Sequence, residues 1–387
     1  MASADGDEAC PEPAPGADRL CLLHVHDAFL AAELQGIASE GECAFCAGAH
    51  GGPAPVVAVP VVSIARLTDV VLSALSGHGS PKAPPDPVQA VTEHCRPALD
   101  GEVLKAVLGY IDQRQWSGKP VVFVPRSCAV QENWDWLCST VAERDLDLPG
   151  SDPSPGSDRD RLESLMGRIA DMVREEGLIK EAAPGAEIWR GRMRPNGDLP
   201  GFRASDIGSV PAERAAENRM SRSGVPLFYG SADRDTAVVE LAARDGRRPF
   251  VAVAAFETTR PLRMLDLADI PDLPSPFDQK QAERRDCLVF LRDFARDLSR
   301  PVFYDGRKHR DYRPTQYVTD YFRASAEPWV DGIRFRSAHN DGVNYALFVD
   351  ATQCLEPHAP GGLGTLRLIA GSEQVHDLNR SHVTQAV

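Results

Sequence analysis

The spacing of apolar residues along the chain changes near residue 183. Before that point the apolar positions recur at helical intervals. Val103, Leu104, Val107, Leu108 and Ile111 predict a helix over Glu102 to Gln113. A second helix is predicted over about Glu132 to Glu143, burying Trp134, Leu137, Cys138 and Val141. The apolar segment Val56 to Leu75 is expected to end as a helix. The most regular stripe is Leu162, Leu165, Met166, Ile169, Met172 and Val173, with Gly177 as its C-terminal stop. From about Ala186 the pattern turns to short runs, predicting strands at Glu187 to Met193, Val225 to Tyr229, Pro249 to Phe256, Leu262 to Leu267, Gly332 to Phe335 and Asn344 to Val349. Helices are predicted at Asp235 to Arg244, Gln279 to Leu298 and Thr315 to Ala324. Strands outnumber helices and do not alternate with them, which gives an α+β class with a mixed sheet and excludes a doubly wound one.

The resulting organisation is a tail at 1–18, a helical domain with a small zinc knuckle at 19–145, a linker and bridging helix at 146–182, a sheet domain at 183–375 and a tail at 376–387. The linker is Asp147 to Asp158, rich in proline, glycine and serine. A chain of 387 residues has room for such a division.

Charge and cysteine content narrow the chemistry. A formal charge of -14 argues against a general nucleic-acid binder, although it leaves room for a local basic pocket that takes a small phosphate ligand. No apolar run reaches the roughly 18 residues needed to span a bilayer, and the acidic, proline-rich start is not a signal peptide. A cytoplasmic protein is expected. Nine cysteines, an odd number in a large acidic chain, point to a reducing compartment and a metal site, not a disulfide framework. Cys21-Leu-Leu-His24 and Cys43-Ala-Phe-Cys46 supply two knuckles whose sulfur and imidazole donors suit zinc in a closed, structural, tetrahedral site. His26 and His50 are alternatives to His24 as the fourth ligand.

In the sheet domain, polar residues stand where strands end. Arg190 lies in IWRGRM, Arg219 precedes the Ser223-Gly224 turn, Tyr229 closes a strand, Glu240 interrupts an apolar helix and Ser337 ends DGIRFRS. Each has an ordinary explanation taken alone. Glu240, for example, can pair with Arg244 one turn on, worth a few tenths of a kcal/mol. No G-x-G-x-x-G or Walker A sequence is present, which excludes Rossmann and P-loop sites.

In combination, these motifs resemble the RES domain family. The arginine strand, R-x-x-x-x-G-x-x-x-x-Y-G-S from Arg219, T-A-V-V-E ending at Glu240, P-T-Q-Y-V-T-D-Y-F from Pro314 and V-D-G-I-R-F-R-S ending at Ser337 occur in the family's order, over about residues 183 to 372. The N-terminal half resembles the zinc-knuckle and HEPN-like helical region fused ahead of RES domains, with His24 where a cysteine is expected. The resemblance implies an ADP-ribosyltransferase-like fold and a bacterial toxin or defence effector that consumes NAD+ by cleaving its nicotinamide–ribose bond, as a glycohydrolase or phosphorylase. Toxic NAD+ loss would require control, by an antitoxin or regulatory protein or by the N-terminal half covering the cleft, and a homo-oligomer is compatible with this reading. Glu240, Arg190 and Ser337 are then the catalytic residues: Glu240 is the carboxylate, Arg190 with Arg219 holds the pyrophosphate, Tyr229 orients the nicotinamide, and Ser337 fixes the nicotinamide amide or a ribose hydroxyl. ADP-ribosyl transfer to a protein is the nearest alternative. A partner- or nucleic-acid-binding module, in which the RES-like half is inactive, is the alternative of another class.

Overall fold

The computed structural model describes residues 18–46, 58–75, 87–116, 133–143, 157–197, 203–243, 249–300, 308–325, 330–359 and 364–379. Most of both expected tails, linker residues 147–156, His50 and Arg244 lie outside them. Two units emerge, Met1–Gln131 with Leu273–Arg285, and Glu132–Asp272 with Asp286–Val387.

In the first unit, β1 (Arg19–Cys21), β2 (Ser39–Gly41) and β3 (Val59–Ser63) form an antiparallel sheet of order β1-β3-β2. These strands were absent from the sequence expectation, because three to five residues are too few to display a period of two. Helices follow at Ala28–Gln35, Ile64–Leu75, Pro87–Cys95 and Gly101–Trp116. Asp27 caps the first by accepting from the Leu30 amide at 2.8 Å, which turns Leu30 and Leu34 inward. Ile64, Leu67, Val71, Leu72 and Leu75 line one face of the second helix. Thr68, buried on that face, satisfies its hydroxyl on the Ile64 carbonyl at 2.7 Å. Segment 273–285 joins this unit through Phe277, which is buried in the same core, and through Ser275, which donates to Asp27 at 2.9 Å.

The helix Trp134–Glu143 groups with the second unit, and not with the N-terminal half as its position in the chain suggests. Trp134 explains the difference. Its ring packs edge-on to Phe290 at 5.4 Å and tilted to Phe294 at 5.6 Å, and its indole donates to Asp297 at 2.8 Å. The long helix Asp158–Glu175 is capped by Ser157, buries the expected leucine, isoleucine and methionine stripe, and is followed by Gly177 at φ 61°.

Among the described residues, the sheet of the second unit has ten strands: β4 (Ile179–Ala182), β5 (Glu187–Arg194), β6 (Phe228–Ser231), β7 (Phe250–Thr258), β8 (Leu262–Asp266), β9 (Gly332–Arg336), β10 (Val343–Leu347), β11 (Cys354–Leu355), β12 (Leu366–Leu368) and β13 (Gln374–Asp377). Their order is β11-β12-β7-β5-β6-β10-β9-β8-β4, with β13 also on β7. The sheet is mixed: β8–β9 and β11–β12 are parallel and the other pairs antiparallel. β7 is covered on both faces. Ala252, Ala254 and Phe256 face a core with Ile188, Phe228 and Met264, while Val251 and Val253 pack with Ala237 and Leu241 of the helix Arg234–Ala242. That double cover is why the strand reads as an unbroken apolar run. The C-terminal helix Lys308–Ala324 starts before the expected Thr315 and carries Pro314 within it.

One joint in the sheet differs from the others. β5 pairs with β7 along its whole length, but with β6 it shares the single register pair Trp189–Ser231. The strands part beyond that pair.

Candidate active site

A cleft of about 530 Å³ is lined from both sides of this parting, by β5 residues Trp189 to Met193 and β6 residues Tyr229 to Ser231. Its size falls within the range of small-molecule sites, roughly 300–1,000 Å³. Glu240, Arg190, Arg219 and Tyr229 all line it.

Glu240 reaches the cleft because its helix lies unusually close to the sheet. A Cβ on Gly191 would fall 2.5 Å from Leu241 Cδ1, so the glycine lets the helix settle onto β5. Asp233 starts the helix by accepting from the Thr236 amide at 2.8 Å. The Glu240 side chain is half-buried. Its Oε1 accepts from Ser337 Oγ at 2.6 Å and from Asn344 Nδ2 at 2.6 Å, and its Oε2 lies 4.0 Å from His339 Nε2. These donors hold the carboxylate in one orientation.

Ser337 is not itself among the cleft-lining residues. Its hydroxyl gives its one proton to Glu240 and accepts from the His339 amide at 3.1 Å. In this structure it therefore supports the carboxylate from behind.

Arg190 is 8% exposed. It donates from Nη1 to the Tyr229 carbonyl at 2.7 Å and lies 4.6 Å from the centroid of the Phe228 ring, so its guanidinium ties β5 to β6 where the ladder has ended. Tyr229 donates its hydroxyl to Asn218 Oδ1. The same oxygen accepts from the amides of Met220 and Ser221 at 3.0 and 3.1 Å. This asparagine turn carries Arg219, whose Nη1 donates to the Asp297 carbonyl at 3.1 Å and whose guanidinium sits 5.3 Å from the Tyr312 ring. Gln316 of the helix Lys308–Ala324 anchors the turn by donating to the Asn218 carbonyl at 2.7 Å.

The cleft has an electrostatic character opposite to that of the chain. Arg190, Arg192, Arg219 and Arg300 line it against Glu217 and Glu240, in a protein of net charge -14. Burial lowers the pKa of Arg192, and the nearby Arg214 adds to that effect, without threatening its charge. The structure thus brings together the five residues singled out in this half of the sequence. It adds Asn344, His339, Asn218, Arg192, Arg300 and Tyr312, which no spacing marked. Gln316 and Ser231 stand inside the matched motifs, and that was their one visible signal.

Residues 187–365 match the family model of the RES domain. This segment is a RES domain. No curated protein matches the chain. Among solved structures, the M. tuberculosis MbcT–MbcA toxin–antitoxin complex is similar at 15% identity, over 55% of this chain and 93% of that chain, with a TM-score of 0.29. A score that low carries no inference about the RES domain described here.

A second group of chemical side chains lies in the N-terminal unit. The ligand atoms of Cys21, His24, Cys43 and Cys46 all fall within 4.8 Å of one another, which makes the group able to hold a metal ion. Cys21 Sγ lies 3.5 Å from Cys46 Sγ, and Cys46 Sγ lies 3.4 Å from His24 Nε2. Metal–sulfur bonds of about 2.3 Å in a tetrahedron place sulfurs roughly 3.8 Å apart, so the donor set fits with small adjustment. His24 Nδ1 bonds Asp100 Oδ2 at 2.6 Å, leaving Nε2 directed at the sulfurs. His26 bonds the other Asp100 oxygen at 2.8 Å and stands outside the group. Burial opposes ionisation of Cys43, but amide donors from Cys21, Phe45 and Cys46 bring its pKa down to about 7. Among the described residues, no helix is long and apolar enough to cross a membrane.

Proposed function

We propose that the RES domain degrades NAD+, breaking the nicotinamide–ribose bond as a glycohydrolase or phosphorylase, and that the chain acts as a toxin held in check by a protein partner. The observation that carries this is the cleft itself, in which one oriented carboxylate and four arginines meet in an otherwise acidic chain. Loss of nicotinamide leaves positive charge on the ribose. The Glu240 carboxylate, accepting a ribose hydroxyl on Oε2, stabilises that charge as it develops. Guanidinium groups match the pyrophosphate, and in this reading Arg219 and Arg190, both in the cleft wall, supply them. Tyr229 orients the nicotinamide end with its ring, since its hydroxyl is engaged by Asn218.

For the N-terminal unit we propose a structural zinc on Cys21, His24, Cys43 and Cys46. Four protein ligands leave no open position, so such an ion contributes to folding and not to the reaction.

The test is incubation of the purified full chain with radiolabelled NAD+, with and without phosphate. Release of nicotinamide is expected. Dependence on phosphate identifies a phosphorylase, and its absence a hydrolase. Label retained on protein after electrophoresis assigns transfer to a side chain instead. Unchanged NAD+ in all arms overturns the proposal.

A further inference from the structure

Glu240 offers its two oxygens unequally. Oε1 takes both close donors, Ser337 and Asn344, each at 2.6 Å, and Oε2 is the oxygen on the His339 side of the cleft.

An ionised carboxylate only accepts, so Asn344 must present its NH2 end to Glu240. Its carbonyl end is thereby turned away, and there it accepts from the Ser231 hydroxyl at 2.8 Å. Both residues are buried, Asn344 at 7% and Ser231 at 3% exposure, so water does not readily replace either bond. Asn344 on β10 and Ser231 on β6 are register partners, and Ser231 is also the partner of Trp189 in the one pair that still joins β6 to β5. The hydrogen-bond chain Ser231–Asn344–Glu240 therefore begins at the fixed point of the split sheet and ends on the carboxylate. Ser337 cannot do this alone. It sits on a turn after β9, and its hydroxyl can rotate, whereas the amide has one orientation that satisfies both neighbours.

We propose that Asn344, with Ser231 behind it, is a positioning residue that fixes the orientation in which the Glu240 carboxylate meets the ligand, an inference that rests on NAD+ degradation at this same site. With Oε1 occupied, Oε2 is the oxygen that meets the ribose hydroxyl. Loss of Asn344 lets the carboxylate rotate, so substrate still binds but the transition state is met by a misplaced charge. The expected signature is a fall in kcat with little change in KM.

The experiment uses the full chain and the variants Asn344→Ala, Asn344→Asp and Ser231→Ala, measured for kcat and KM with NAD+. A crystal structure of Asn344→Ala, or of Ser231→Ala where the first does not fold, accompanies the kinetics. Asn344→Ala is expected to lower kcat about ten- to hundredfold, the usual weight of a hydrogen bond to a charged group. Asn344→Asp is expected to be at least as poor, because it sets one carboxylate against another. Ser231→Ala is expected to fall between these and the native chain, since the amide stays but loses the partner that orients it. In the crystals the Glu240 carboxylate is expected to turn from its native position. Native kcat in both Asn344 variants, or an unmoved carboxylate, overturns the proposal. If the native chain does not consume NAD+, the function proposed above fails, and the carboxylate position in the variant crystal still decides this one.

Discussion

Arg190 donates to the backbone carbonyl of Tyr229 at 2.7 Å across the place where β5 and β6 have parted. A side chain here does what a ladder amide does elsewhere in the sheet. It closes the floor of the cleft and leaves a guanidinium in its wall. Under the proposed function the same arginine has two duties, to hold two strands and to meet a phosphate.

Arg190→Lys tests both duties at once. An ammonium is a point charge and cannot bond a carbonyl and a phosphate with a planar fork. NAD+ kinetics are expected to show KM raised at least about tenfold, as for loss of a charge-assisted hydrogen bond, and the melting transition is expected to fall by about 1–3 kcal/mol equivalent. A native KM in this variant removes Arg190 from the binding residues.

Glycine substitutions are expected to act with opposite signs in the two units. A Cβ on Gly342 would fall 2.0 Å from Thr236 Oγ1, a buried group already bonded to Asp233 and Asn340. The Gly342 carbonyl also accepts from the Ser337 amide at 2.9 Å, so displacement of this turn reaches the Glu240 site. Gly342→Ala is expected to cost about 1–3 kcal/mol in urea melts and to lower turnover. At Gly109, inside the helix Gly101–Trp116, an added Cβ would meet open space. Gly109→Ala is expected to be neutral or stabilising by up to about 1 kcal/mol.

The metal group yields a test that is independent of NAD+. Elemental analysis of the purified chain is expected to find zinc bound. His24→Ala is expected to lose it, whereas His26→Ala retains it, because His26 reaches Asp100 but not the sulfurs. A chelator is expected to unfold the N-terminal unit while the RES domain keeps its cooperative transition. Equal zinc content in the two histidine variants contradicts the assignment of His24.

How much of this was legible in the sequence depended on distance along the chain. The strand at Phe250–Thr258 and the helix at Asp158–Glu175 were visible, because apolar runs and stripes report burial directly. Glu240 stood out as a charge in an apolar helix, and the five motifs placed the RES domain. Strands β1 to β3 were too short to show a rhythm. Trp134 gave no hint that its partners are Phe290 and Phe294, since such a contact depends on the tertiary fold. Asn344 stayed hidden for a related reason. Its importance lies in the β6–β10 register, which sets it beside Ser231, and in a helix that brings Glu240 within reach. Ser337 was singled out by its motif, but its partner was not. The sequence suggested a ligand, whereas its proton goes to Glu240.

The most direct measurement is NAD+ consumption by the full chain beside Glu240→Gln. Glutamine keeps the size of the side chain and removes its charge, so folding, followed by thermal melting, is expected to be spared. Nicotinamide release is expected to fall on the order of a hundred- to thousandfold, the weight of a lost transition-state contact. A Glu240→Gln chain that degrades NAD+ at the native rate would contradict the account, since Glu240 is the cleft carboxylate that Ser337 and Asn344 orient.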